Sequence, residues 1–256
     1  MKNIRIIPTL HIKGSNVVKP VHTEALRVVG HPKELALRYY REGADELIYL
    51  DIVASLYQRN FDFELLKSVS EEIFIPITVG GGIRSLSDIK NALRVGADKV
   101  AINTYAVHHP EFLKAAAEEF GSQCIVLYIE AKEKGDGRWE VYTDGGREST
   151  GVDAVEWAKR TIDLGVGEIL LTSIDRDGTR KGYDLELTSA IASTSPIPVI
   201  AHGGAGNAAH LEEIIKKGKA DAVGVSSIFH YAETDIGAVK KNLSGREINV
   251  RANYSN

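Results

Sequence analysis

Residues 75–83 read Ile-Pro-Ile-Thr-Val-Gly-Gly-Gly-Ile, and residues 197–205 read Ile-Pro-Val-Ile-Ala-His-Gly-Gly-Ala. Each is a short apolar run opened by proline and closed by glycines. That is the pattern of a strand buried on both faces that runs into a tight turn. The copies lie about 122 residues apart, close to half of the 256-residue chain. Nearly the same offset carries Glu46–Asp51 (ELIYLD) onto Glu168–Ser173 (EILLTS), and Asp98 in GADKV onto Asp221 in KADAV. Three matches in one order point to two homologous halves, about 1–121 and 122–245, within a single domain spanning 1–256.

Outward from these runs, strand-like segments fall at Ile4–Leu10, Glu46–Ile52, Ile75–Val79, Lys99–Asn103, Gln123–Glu130, Glu168–Ser173, Ile197–Ala201 and Ala222–Ser226. Amphipathic stretches lie between them, including Pro32–Glu42, Ser87–Val95, Pro110–Phe120, Asp153–Leu164 and Ala208–Lys217. Eight strands alternating with helices predict a (β/α)8 TIM barrel of the α/β class, four strands to each half. An open doubly wound sheet is the alternative, but the G-x-G-x-x-G fingerprint after the first strand is absent. The charged run Lys132–Arg138 predicts a solvent-facing hairpin with Trp139–Tyr142 as its second strand.

Composition narrows the function classes. Hydrophobic residues make up 43% and charged residues 26%, an ordinary globular balance. The longest apolar run, Cys124–Ile129, is far below the roughly 20 residues of a membrane span, so no membrane role is expected. The start of the chain lacks the pattern of a signal peptide. A net charge of −4 argues against a nucleic-acid partner. The single cysteine, Cys124, excludes an internal disulfide and fits a reducing cytoplasm. His108-His109 has no third ligand at metal spacing, so no metal is expected. No cofactor is expected either.

The strand ends carry the chemistry. Gly80-Gly81-Gly82 follows strand three, Asn103-Thr104 strand four, Asp177-Gly178 strand six, Gly203-Gly204 strand seven and Ser226-Ser227 strand eight. Glycine turns and small polar residues at helix starts present backbone donors to anions. In barrels, the loop after strand seven and the helix start after strand eight commonly hold phosphate. The repeat places an equivalent site after strands three and four, so twin phosphate sites predict a bisphosphorylated small-molecule ligand. His11 and Glu130 end strands one and five about 119 residues apart and would face each other as a candidate acid–base pair.

Beyond these readings, the chain is similar over nearly its whole length to the cyclase subunit of imidazole glycerol phosphate synthase, the HisF family of histidine biosynthesis. The resemblance rests on IRIIP at 4–8, ADELIYLDI at 44–52, TVGGGI at 78–83, GADKVAINT at 96–104, FGSQ at 120–123, GGAG at 203–206 and FH at 229–230. Its most specific segment is GVGEILLTSIDRDGTRKGYD at 165–184. The resemblance implies a lyase-class barrel that accepts ammonia from a glutaminase subunit (a glutamine amidotransferase partner) through an axial ammonia channel. It implies one phosphate at Gly82, Asn103 and Thr104, and another at Asp177, Gly178, Gly204, Ser226 and Ser227. It implies an ammonia gate of Arg5, Glu46, Lys99 and Glu168 at the base of the barrel. It implies glutaminase docking around Asp98, and a lid over the substrate that carries Lys19.

The departures from that family are local. Its two catalytic positions are aspartates, where this chain has His11, in Thr9-Leu10-His11, and Glu130, in Ile129-Glu130-Ala131-Lys132. Glutamate sets its carboxylate about 1.5 Å further out, and misplacement on that scale costs on the order of 10²-fold in rate. His11 changes the charge type. His202 stands where the family has a small residue. An intact gate below an altered mouth points to a paralogue serving amidino- or amino-sugar biosynthesis for surface polysaccharides. The alternatives are a working histidine-pathway cyclase and a non-catalytic, glutaminase-activating conduit. The isomerase of the same pathway, which shares the repeat but needs no gate, ranks last.

Overall fold

The computed structural model describes residues 3–21 and 24–252. In chain order its strands are β1 (Arg5–Lys13), β2 (Asn16–Val21), β3 (Glu24–Gly30), β4 (Leu47–Asp51), β5 (Ile77–Gly80), β6 (Lys99–Ile102), β7 (Ile125–Gly135), β8 (Arg138–Thr143), β9 (Glu148–Asp153), β10 (Glu168–Ser173), β11 (Val199–His202) and β12 (Ala222–Val225). Eight of them pair in parallel around a closed circuit, β1–β4–β5–β6–β7–β10–β11–β12 and back to β1. Helices connect consecutive barrel strands, so the fold is a (β/α)8 TIM barrel.

Two antiparallel additions lie outside the circuit. β2 and β3 form a hairpin on the end of β1, in the segment expected to act as a lid. β8 and β9 extend β7. These partners explain why β1 and β7 run to Lys13 and Gly135, past the ends expected at Leu10 and Glu130: strand residues beyond the barrel rim still find a ladder. β9 and the helices Phe63–Ser70 and Leu185–Ala192 were not singled out in the sequence.

The expected helix boundaries hold to within two residues or less where a side-chain cap fixes them. Ser85 accepts from the backbone N–H of Asp88, whose carboxylate returns the bond to the Ser85 N–H, closing a capping box. Asn207 caps the helix Ala208–Lys216 through the N–H of His210. Asp62 and Asp184 do the same for Leu65 and Leu187. Each of these pairs is separated by about 122 residues, so corresponding positions of the two halves perform the same local task.

Apolar residues form two shells. The larger lies between the strands and the surrounding helices. The smaller fills the barrel axis with Ile7, Ile48, Leu50, Ala101, Val126, Tyr128, Leu170, Ile200 and Ala222. Alternate residues of each strand point inward, so Arg5, Ile7, Thr9 and His11 mark successive levels from base to mouth. No helix among the described residues is long and apolar enough to cross a membrane.

Candidate functional site

At the base, the four expected gate residues form a closed ring. Arg5 Nη1 lies 2.7 Å from Glu46 Oε1, and Arg5 Nη2 lies 2.5 Å from Glu168 Oε1. Lys99 Nζ lies 3.0 Å from Glu46 Oε2 and 2.8 Å from Glu168 Oε2. Every carboxylate oxygen meets one cation, and the charges alternate and cancel. The two glutamates are buried, and the pairing of their oxygens offsets the cost of burying their charge. Burial alone would lower the Arg5 guanidinium pKa, but Glu168 and Glu46 outweigh it and raise it. Above the ring the axis is lined by the apolar shell.

Asp98, beside Lys99, accepts from the backbone N–H of Ile77 at 2.8 Å. Asp221 does the same for Val199 at 2.7 Å, and Asp45 for Ile6 at 2.8 Å. These aspartates therefore tie neighbouring strands together at the base, a role the sequence motif had not disclosed.

At the mouth, glycine pairs in the two halves share one backbone conformation. Gly81 and Gly82 have φ of +100° and +74°, and Gly203 and Gly204 have +93° and +103°. A Cβ on Gly82 would stand 2.3 Å from Arg59 O, and one on Gly204 would stand 2.1 Å from Gly182 O, so only glycine fits either turn. Asn103 and Ser226 also match, with φ/ψ of −120°/−87° and −123°/−74° before the short helices that begin at Thr104 and Ser227.

The two halves of the mouth nevertheless differ in space. A cavity of about 290 Å³ opens over the first half, lined by Gly81, Gly82, Asn103, Thr104, Tyr128 and Glu130 among others. Over the second half, the space bounded by Asp177, Gly178, Gly204, Ser226 and Ser227 is about 10 Å³. His202 occupies it. Its Nδ1 is 2.9 Å from Thr172 Oγ1 and its Nε2 is 3.3 Å from Ser226 Oγ. Ser226 Oγ donates in turn to Thr9 O at 2.9 Å. Lys19, on the β2–β3 hairpin, reaches across to Asp177 at 2.8 Å, and both ends of this pair are buried.

His11 and Glu130 both reach the mouth, around a second space of about 10 Å³. Among the described residues no hydrogen bond joins them. Glu130 accepts from Asn103 Nδ2 at 3.0 Å and from the Tyr128 hydroxyl at 3.1 Å. Burial pushes its carboxyl up to about 7, against the opposing pull of those two donors. The Nδ1 of His11 has no hydrogen-bond partner among the described residues. The His11 ring packs edge-on to His202, with centroids 5.3 Å apart. Burial, then the charge of Lys19, holds His11 well below the usual imidazole range. Burial lowers His202 to about 4 and His230 to about 3.

Sequence reasoning passed over three contributors. Tyr128 is one. The β8–β9 turn is another: Tyr142 O accepts from Asn103 Nδ2, and the Asp144 N–H donates to Thr104 Oγ1. His230 is the third, bound through Nδ1 to the Tyr39 hydroxyl at 2.6 Å. The pair FH at 229–230 was visible, but nothing local marks His230 as the buried partner of Tyr39.

With this geometry in hand, comparison with known families is informative. The family model described as "Histidine biosynthesis protein" matches residues 5–235. The match takes in the charged ring at the base, both glycine turns and all eight barrel strands, and the chain belongs to that family.

Proposed function

We propose that this histidine biosynthesis family barrel is a cyclase-type subunit that receives ammonia from a glutaminase and carries it along its axis to a phosphorylated ligand at the mouth. The observation that carries this reading is the closed ring of Arg5, Glu46, Lys99 and Glu168. Four charged side chains at the end of a barrel axis packed with apolar side chains have no packing purpose. Exposed charges are replaceable at a cost of about 0.5 kcal/mol or less, so isolated ones need no reason, but a fully paired ring does. A ring held by paired charges alone can part without unpacking the core, and a neutral ammonia molecule then meets apolar walls, which do not retain it.

We infer further that the subunit is a paralogue serving amidino- or amino-sugar formation rather than imidazole ring closure. Glu130 has the pKa of a general acid–base at neutral pH. Its partner position holds His11, a buried neutral imidazole packed on His202. An acid–base pair of two carboxylates is thereby lost. A cytoplasmic glutaminase docked on the strand N-terminal face, over Lys99 and Asp98, is the expected partner.

Analytical ultracentrifugation of this chain with a glutaminase subunit from the same source tests the reading. A one-to-one complex is expected, with hydrogen exchange slowed around Asp98 and Lys99. An interface of this kind buries on the order of 1,200–2,000 Å². Two species that sediment independently would remove the glutaminase from the account. Turnover of the histidine-pathway substrate with ammonium salts, at a kcat within about tenfold of working cyclases, would remove the paralogue.

A further inference from the structure

We propose that this barrel takes a short ligand bearing a single phosphate, because His202 has closed the second of the two anion cradles. The inference rests on the reading above for the first cradle and departs from the bisphosphate that the twin sites imply.

The two cradles share a backbone, so each turn had the means to hold an anion. Their side chains have diverged. In the first half, the glycine turn and Asn103 open onto about 290 Å³. Asn103 Oδ1 is buried, borders that cavity and has no hydrogen-bond partner among the described residues. It is an acceptor awaiting a donor, such as a hydroxyl or amino group of a ligand. Glu130 supplies the second polar group at the same end.

In the second half about 10 Å³ is left, room for one water molecule and not for a phosphate. The side-chain groups beside this cradle are committed to the protein, which leaves only its backbone N–H groups to an anion. Ser226 serves Thr9 O and contacts His202, and Lys19 is spent on Asp177. His202 is held at both ring nitrogens, which leaves it no rotamer to give up without losing a bond. The ring also stacks over Gly224: a Cβ built there would come within 3.0 Å of His202 Cδ2. His11 backs it from the other side. The two histidines that depart from the family pattern are thus in contact, and together they fill one half of the mouth.

The test uses the full chain with three probes: inorganic phosphate, ribose 5-phosphate and ribulose 1,5-bisphosphate. Crystals soaked in phosphate are expected to show one anion per chain, beside Gly82 and Thr104. In calorimetry the bisphosphate is expected to bind within about threefold of the monophosphate. His202→Ser should admit a second phosphate and favour the bisphosphate by about tenfold or more. Two anions in the unaltered protein, a bisphosphate preference of about tenfold without the substitution, or no anion beside Gly82 would each overturn the proposal. So would a second anion in Lys19→Ala with His202 intact, since the hairpin and not the imidazole would then be the closure. These outcomes need no folded His202 variant. Glutaminase association, measured on the same preparation, separates failure of this inference from failure of the gate.

Discussion

Glu130 holds a proton near neutrality because it is buried with only two neutral donors, Tyr128 and Asn103, to stabilise its charge. Its folded pKa of about 7 lies above the ordinary 4.5, so the folded state binds that proton more tightly than the unfolded chain does. The resulting stability is present at low pH and is lost as pH rises from about 4.5 to 7. Glu130→Gln removes the titration and with it the loss: its amide oxygen still accepts from Asn103, and its amide N–H donates to the Tyr128 oxygen once that hydroxyl turns away. Thermal melts are expected to coincide near pH 4.5 and to favour the variant above pH 7, by at most about 3 kcal/mol. Identical melts at pH 8 would show that the carboxylate is already accommodated. The same substitution takes away the one carboxyl poised for proton transfer, so any reaction at the mouth should fall by about 10²-fold or more. Glu130 was legible from sequence because it ends a strand, and the four charges of the basal ring were expected from the family resemblance, the repeat relating Glu46 to Glu168. The contact of His11 with His202 was not. It joins β1 to β11, and only the stagger of the closed barrel brings those two levels together.

The β2–β3 hairpin is the element whose placement depends on one ion pair. Breaking a buried pair by removing one partner costs on the order of 3–5 kcal/mol when the survivor stays buried. A hairpin can escape that cost by moving away. Lys19→Ala is therefore expected to speed hydrogen exchange in β2 and β3 with little change in the melting of the barrel. Unchanged exchange there would mean that the ladder with β1 alone holds the hairpin. The capped helices give a second test. Asp62→Ala and Asp184→Ala each remove one N-cap bond at corresponding places in the two halves. Each should cost about 1 kcal/mol, and the double variant about 2, because the sites share no partner. A strongly non-additive pair would mean that the halves are coupled more tightly than their separate caps imply. Longer periodic helices were readable in advance, whereas Phe63–Ser70 and Leu185–Ala192, each only eight residues long, were not singled out despite their aspartate caps. β9 was not, since ESTGVD has no apolar alternation and owes its strand to pairing with β8.

For the whole molecule, acid should weaken the fold from the mouth downward. His11, His202 and His230 are buried neutral, with folded pKa values below the ordinary 6.5. The unfolded chain takes up their protons first, so their stability is present above about pH 6.5 and is lost as pH falls towards 4. These three groups oppose the contrary slopes of Glu130, Glu42 and Asp51, whose carboxyls burial raises, and the net expectation is falling stability below pH 6.5. Denaturant midpoints at pH 7 and pH 5 measure it, and His202→Ser should flatten the difference. At the opposite end of the barrel the central claim is decided by one measurement: glutamine hydrolysis by a glutaminase subunit from the same source, alone, with this chain, and with Lys99→Ala. The account predicts that the chain raises the rate and that Lys99→Ala, which leaves one oxygen of Glu46 and one of Glu168 without a cation, alters that coupling while the barrel stays folded. A hydrolysis rate that is the same in all three would contradict it.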